Sequence, residues 1–146
     1  MDFNTRIIEE FRASGGKVLG PAEGFSLLLL HTTGARTGRE RVTPVAYQPL
    51  AEGWAIFATH AGAPKHPDWY HNLLAHPETI IEVGTDTVPV RARVAGGEER
   101  EQIWARQKAF YPSFAKHEAK TTREIPVVVL ERLTARRQGS RSLDLG

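Results

Sequence analysis

The chain has 146 residues, of which 40% are hydrophobic, and this size and composition predict one compact domain. It contains no cysteine, which excludes disulfide scaffolds, thiol nucleophiles, iron-sulfur clusters and zinc ribbons. The formal net charge is only +2, too small for a protein that coats nucleic acid, so we predict no nucleic-acid partner. Charges among the first twenty residues leave no room for a signal peptide, and the longest strongly apolar run, 25–30, is far shorter than a membrane span. We therefore expect a cytoplasmic protein.

Residues 1–24 predict an N-terminal helix and a linker. Apolar residues recur at helical spacing from Phe3 to Phe11, and Gly15 and Gly16 provide a stop signal. The polar face of this helix carries charges of both signs. Packing on its own domain is therefore preferred to the alternative, contact with a membrane surface.

From residue 25 onward, short apolar or alternating runs are separated by turn residues, a pattern typical of antiparallel strands. The loop between Gly34 and Gly38 and the turns at 51–53 and 84–86 suit tight connections. Pro44 and Pro89 fall inside strand patterns, which indicates an edge, a bulge or a ligand-facing break in pairing. The predicted strands are 25–33, 41–49, 54–60, 79–84, 87–95 and 125–133.

Helices are predicted between these strands, and a tail follows them. Pro67 starts one helix and Pro77 ends it, a second helix covers about 97–111, and a third covers 113–120. Residues 134–146 have three arginines and little to bury, so we predict a frayed tail. The fold class is mainly β (α+β): residues 25–133 form a single-domain barrel of about six antiparallel strands, with helices packed outside.

The densest polar signal is the segment 32–41, which follows a buried strand. Three arginines, three threonines and two glycines supply forked, hydroxyl and backbone donors, which suit a phosphate or carboxylate. The segment is neither a Walker loop nor a dinucleotide fingerprint, because both spacings are absent. The alternative interpretation is a solvated hairpin turn with a charged tip.

The segment 61–73 is a second candidate. A loop of small residues leads through Lys65 into a helix start followed by Trp69 and Tyr70, a combination that suits an anionic, planar ligand. In the alternative interpretation both aromatic residues are core anchors. The histidines between His60 and His76 lack the spacing of metal ligands, so we predict no metal site.

Three motifs in order carry a resemblance to a known family. They are TTGxRTGxxRVxP at 32–44, GAxKxPxWYxNLxAxP at 62–77, and YPS at 111–113 ahead of IPVVV at 125–129. Together they make the chain similar to the deazaflavin-dependent nitroreductase family over about residues 25–131. The resemblance implies a split β-barrel and the 8-hydroxy-5-deazaflavin coenzyme F-420.

The resemblance also implies a cofactor site. Arg36 and Thr37, with the backbone around Ala35, would hold the phosphate and the acidic side chain of the cofactor. Arginine stands at 36 where lysine is common in the family, and Phe114 and His117 stand where relatives that reduce bicyclic nitroimidazoles have tyrosines. The other cofactor-binding residues implied are Arg41, Val42, Thr43, Pro44, Val45, Ala46, Ala58, Thr59, His60, Lys65, Asp68, Trp69, Tyr70, His71 and Asn72.

The reaction implied is hydride transfer from the reduced deazaflavin to a small-molecule acceptor: a quinone, an enone or a nitroaromatic compound. Negative charge then develops on an acceptor oxygen, so a preorganised hydroxyl donor lowers the barrier. Tyr111 is the first candidate donor, with Tyr47 and Thr59 as the others. The alternatives are an FMN-dependent split-barrel oxidoreductase and a deazaflavin or flavin carrier without turnover. The chain is expected to be a monomer or a homodimer.

Overall fold

The computed structural model describes residues 3–17 and 26–133. These residues form six strands and four helices, with one 3-10 turn at His60–Gly62. The predicted tail and most of the predicted linker, residues 18–24, lie outside the described residues. The elements are α1 (Phe3–Ser14), β1 (Leu27–Thr33), β2 (Glu40–Leu50), β3 (Gly53–Phe57), α2 (Asp68–Ala75), β4 (Glu78–Val83), β5 (Asp86–Val94), α3 (Gly97–Phe110), α4 (Ser113–Ala119) and β6 (Val127–Arg132).

The strands form a closed antiparallel barrel in the order β1-β2-β3-β6-β5-β4, and β4 pairs with β1 to complete it. The predicted fold class is therefore confirmed. The six predicted strands and the helices between them are present, with boundaries shifted by a few residues. The largest difference is β3, which was expected to reach residue 60 and ends at Phe57.

Strands β3 and β6 are buried on both faces, which explains why they read as continuous apolar runs. Ile56 and Leu130 point into the barrel core, whereas Phe57 and Val129 point outward. The outward side chains pack against Trp104 of α3, which is 1% exposed. The barrel thus has an inner core and a second core beneath α3 and α4.

Strand β2 is much longer than β3, so its first half lacks a partner on one side. Tyr47–Leu50 pair with β3, whereas residues 40–46 pair only with β1. The Tyr47 amide donates a hydrogen bond to the Ser26 carbonyl, so it faces the β1 side. Successive residues of a strand direct their backbone N–H and C=O groups to opposite sides, so the nitrogen of Pro44, three residues earlier, faces away from β1. Pro44 therefore costs no ladder hydrogen bond. Pro89 lies one residue outside the ladder between β5 and β6, which starts at Val90.

Helix α1 is docked on the barrel and lies against β2. Phe11 is 1% exposed, and Arg12 forms a bidentate ion pair with Glu82 of β4, at 2.7 and 3.1 Å. The buried His31 of β1 places one ring nitrogen 2.7 Å from Glu82 and the other 3.1 Å from Glu40. These side chains join α1, β1, β2 and β4 where the barrel closes.

The described helices are all too short or too polar to cross a bilayer.

We expect the Glu82→Gln variant to lose about 1–2 kcal/mol of unfolding free energy at pH 7. The hydrogen bond from Arg12, and the bond from His31, hold the pKa of Glu82 below its ordinary value, although partial burial opposes this. A lowered pKa means that the stabilisation is present above the ordinary carboxyl pKa and is lost as the pH falls through the lowered value. Urea unfolding of both proteins at pH 7 and at the lowest pH at which the parent stays folded measures the difference.

The matched control is Glu10→Gln, which removes an exposed carboxylate from α1, the helix that carries Arg12. It should leave stability nearly unchanged at both pH values. A Glu82→Gln penalty that is equally large at both pH values would contradict the assignment.

Candidate functional site

The main cavity opens where β2 lacks its β3 partner and has a volume of about 510 Å³, within the range of small-molecule sites. Its walls come from α1, β1, β2, the end of β3, the 3-10 turn, α2 and α4. Apolar and polar side chains are mixed along these walls. The lining residues are Asn4, Ile7, Leu27, Thr32, Arg41, Thr43, Pro44, Val45, Ala46, Phe57, Thr59, His60, Ala61, Pro67, Asp68, Trp69, Asn72, Phe114 and His117.

A second depression, the basic groove, has a volume of about 550 Å³ and lies between the β1–β2 loop and the start of α2. Arg41, Asp68 and Asn72 line both the groove and the main cavity, so the two are contiguous. One elongated ligand can therefore occupy both. The groove is lined by Gly34, Ala35, Arg36, Thr37, Arg41, Asp68, His71 and Asn72.

The charges of the groove favour an anion. The two guanidinium groups of Arg36 and Arg41 outweigh the single carboxylate of Asp68, and His71 adds positive charge when it is protonated. The Thr37 hydroxyl oxygen accepts a hydrogen bond from the Arg39 amide at 3.2 Å, which leaves its O–H to donate elsewhere. The donor set thus matches phosphate or carboxylate oxygens.

The buried amide of Asn72 fixes the shape of the groove. Its Oδ1 accepts from the Ala35 amide at 3.0 Å, and its Nδ2 donates to the buried Thr32 hydroxyl at 3.3 Å. The loop itself closes through a hydrogen bond from the Gly38 amide to the Gly34 carbonyl, and the φ of +71° at Gly38 suits glycine. Asn72 therefore ties α2 to the loop that carries Arg36.

Most of the cofactor-binding residues expected from the sequence meet at these two depressions. Trp69 serves both as a core anchor, 8% exposed, and as a wall of the main cavity. The predicted residues that line one or both are Ala35, Arg36, Thr37, Arg41, Thr43, Pro44, Val45, Ala46, Thr59, His60, Asp68, Trp69, His71 and Asn72.

The other predicted residues lie outside these linings. Tyr70 lines a separate small pocket between α2 and β5. Val42, Ala58 and Lys65 line neither the main cavity nor the basic groove, and Ala58 is fully buried.

The three candidate hydroxyl donors are separated by the fold. Thr59 lines the main cavity. Tyr111 packs its ring 6.3 Å, centroid to centroid, from Phe114, which itself lines the cavity. Tyr47 packs against the inner core of the barrel. Thr59 alone among them is a wall residue of the main cavity.

Several cavity residues were not predicted, because they come from distant parts of the chain. Asn4 and Ile7 are brought in by α1, and Phe57 ends β3. Phe114 and His117, noted in the sequence only as departures from the family, belong to the wall that α4 contributes. The helical spacing of apolar residues predicts which face of a helix is buried but not what that face packs against. Only the family resemblance therefore pointed to Phe114 and His117.

Within residues 3–17 and 26–133, no three histidine, aspartate or glutamate side chains converge as a set of metal ligands would.

A closed six-stranded barrel with a basic groove contiguous with a mixed cavity has the space and the charge for an elongated, anionic ligand. Residues 4–132 match the family model of the F420H(2)-dependent quinone reductases. The chain belongs to this family, a family of oxidoreductases whose hydride donor is reduced coenzyme F-420. The match agrees with the deazaflavin cofactor and with an enzyme, and it favours neither FMN nor a carrier without turnover.

Two relatives from Mycobacterium tuberculosis have the same level of identity to this chain. A putative F420H(2)-dependent quinone reductase is 36% identical over 103 residues, 70% of this chain and 87% of the relative. An F420H(2)-dependent quinone reductase is 36% identical over 108 residues, 72% of each chain.

Solved structures have the same fold. A structure described as an F420-H2 dependent reductase is 38% identical, with a TM-score of 0.66 over 72% of this chain and 93% of the other. A structure described as a domain-swapped dimer is 31% identical, with a TM-score of 0.69 over 87% of this chain and 95% of the other.

We expect Asn72→Ala to cost about 1–3 kcal/mol of unfolding free energy, because it removes two hydrogen bonds and leaves a buried hydroxyl without that partner. It should also speed amide exchange at residues 34–39, since the loop loses its tie to α2. Urea unfolding and hydrogen exchange measure the two effects.

Gln102→Ala is the matched control, since its amide is exposed and bonds only to Glu98 one turn earlier among the described contacts. Exchange at 34–39 that is as slow in Asn72→Ala as in this control would show that the amide does not hold the loop.

Proposed function

We propose that this protein passes a hydride from the reduced deazaflavin coenzyme to a quinone, with the coenzyme spanning the basic groove and the main cavity. The observation that carries the proposal is the continuity of the two depressions through Arg41, Asp68 and Asn72. Coenzyme F-420 joins a planar ring to a phosphodiester and a glutamyl tail, so it needs an apolar compartment joined to an anion site. The family match supports the same cofactor.

The groove residues fit the charged part of the coenzyme. Arg36 offers a planar fork that pairs with two phosphate or carboxylate oxygens at once. Arg41 lies where the groove meets the cavity, so its guanidinium can hold an oxygen near the ring end of the ligand. Asn72 is occupied by the loop and therefore acts as a support for the groove.

The residues of the main cavity fit a flat ring with polar edges. Val45, Ala46 and the buried Trp69 offer apolar faces, whereas Thr43, Thr59 and His60 offer polar atoms. Phe114 and His117 form the α4 wall, where a quinone would lie against the ring.

When bound, the reduced coenzyme supplies the hydride. The contribution of the chain is to orient the acceptor and to stabilise the negative charge that develops on the acceptor oxygen. We propose Thr59 as the hydroxyl donor for that oxygen, because it lines the cavity directly. Tyr111, one ring away behind Phe114, is the second candidate, and Tyr47 is the third.

We expect Arg36→Ala to weaken binding of coenzyme F-420 by about tenfold to a hundredfold, the equivalent of a charge-assisted hydrogen bond. Titration of the coenzyme by fluorescence or calorimetry measures this. Arg106→Ala, which removes an exposed arginine of α3 remote from the groove, should leave Kd unchanged. Equal effects of the two variants would remove the anion-binding role of the groove.

We expect Thr59→Val, which replaces the hydroxyl by a methyl group, to lower kcat for a soluble naphthoquinone by about tenfold or more, with coenzyme Kd nearly unchanged. Steady-state kinetics with the reduced coenzyme measure kcat. Tyr111→Phe is the paired variant and deletes only the phenol hydroxyl. If Thr59→Val stays within about twofold of the parent and Tyr111→Phe does not, the donor is Tyr111.

A further inference from the structure

The segment that carries Thr59 into the cavity contains a strained turn. His60, Ala61 and Gly62 have consecutive positive φ angles of 49°, 54° and 80°. The first two have a Cβ atom, and non-glycine residues in this region cost about 1–3 kcal/mol each. His60 and Ala61 both line the main cavity. Such a turn persists only where surrounding contacts fix it.

Arg123, which follows α4, supplies contacts on both sides of this turn. Before the turn, its Nη1 donates to the Ala58 carbonyl at 3.1 Å and its Nη2 to the Thr59 carbonyl at 2.8 Å. After the turn, its Nε donates to the Ala63 carbonyl at 2.9 Å, and its Nη1 lies 2.9 Å from His66 Nδ1. One planar guanidinium thus spans residues 58–66.

The charge states are consistent with this arrangement. Partial burial, followed by the charge of Arg123, lowers the pKa of His66, so its ring is neutral near pH 7 and Nδ1 can accept a hydrogen bond. The guanidinium remains charged, which makes its bonds to the three carbonyl groups charge-assisted.

Helix α4 packs directly against the same turn. A Cβ atom at Gly62 would lie 2.7 Å from the His117 carbonyl oxygen, so the backbones of the turn and α4 are in direct contact. Helix α4 also supplies Phe114 and His117 to the cavity. The turn and the α4 wall are therefore packed together. Arg123, which lies just beyond the end of α4, forms hydrogen bonds to the backbone on both sides of the turn.

We propose that Arg123 is a positioning residue, which holds Thr59 and His60 against the main cavity by bonding the backbone on both sides of the left-handed turn. This inference rests on the proposed quinone reduction. Arg123 lies outside the basic groove, which we propose holds the charged part of the coenzyme, so its loss should change kcat more than coenzyme affinity.

The test compares Arg123→Ala and Arg123→Lys with the parent. Lysine keeps the charge, but one ammonium group cannot reproduce the planar fork that reaches four acceptors. We expect kcat for a soluble naphthoquinone to fall about tenfold or more in Arg123→Ala and less in Arg123→Lys, while coenzyme Kd stays within about threefold. Amide exchange at residues 59–63 should accelerate about tenfold in Arg123→Ala, with exchange in the barrel strands unchanged.

Arg93→Ala is the matched control, because Arg93 also bridges two partners, Glu99 and Glu131, but lines neither depression of the site. It should lower stability without changing kcat per folded molecule. If Arg123→Ala does not fold, Arg123→Lys and its exchange pattern carry the test.

Three results would overturn the positioning role of Arg123: kcat within about twofold of the parent, unchanged exchange at 59–63, or a tenfold loss of coenzyme affinity that parallels the loss of kcat. A parent protein that binds no coenzyme or reduces no quinone overturns the proposed function instead. The exchange measurement then decides by itself whether Arg123 holds the turn.

Discussion

The site depends on a mismatch between neighbouring strands of the barrel. Only the last four residues of β2 pair with β3. The seven residues before them, 40–46, pair with β1 alone. In a fully paired barrel of this size, side chains fill the interior, and backbone hydrogen bonds between neighbouring strands close the wall. The unpaired side of β2 leaves an opening, and the segments around it become the walls of the main cavity. Pro44 suits this stretch because it has no amide hydrogen to leave unsatisfied.

The opening is kept in shape by polar side chains with more than one partner. Asn72 bonds two parts of the chain that are about forty residues away in sequence, and Arg123 bonds parts that lie further still. In both cases the partners are mainly backbone groups or a buried hydroxyl. The loops at the site are therefore fixed by buried and part-buried hydrogen bonds, while the exposed arginines of the groove remain available to a ligand.

Much of the fold follows from local pattern. The apolar or alternating runs of β1, β2, β4 and β5 and the turns at Gly38 and Gly84 specify strands and hairpins whatever surrounds them. The end of β3 was misplaced because Ala58, Thr59 and His60 read as a continuation of the strand. The conformation of these residues is set by Arg123, more than sixty residues away, and no local pattern contains that information. The groove was predictable because a single loop and one helix start build most of it. The α1 and α4 walls were not, since only tertiary packing brings Ile7 and Phe114 to the cavity.

The position of β6 between β3 and β5 also constrains how the protein is made. During synthesis the residues of the basic groove leave the ribosome well before Val127–Arg132, yet β3 and β5 share no ladder and meet only through β6. The earlier strands have long apolar surfaces that stay uncovered until β6 inserts, and such unpaired strands favour intermolecular association. Pairing across more than seventy residues is also slow compared with hairpin formation, because loop closure must be completed first. The closed barrel therefore forms only after the last strand has joined it.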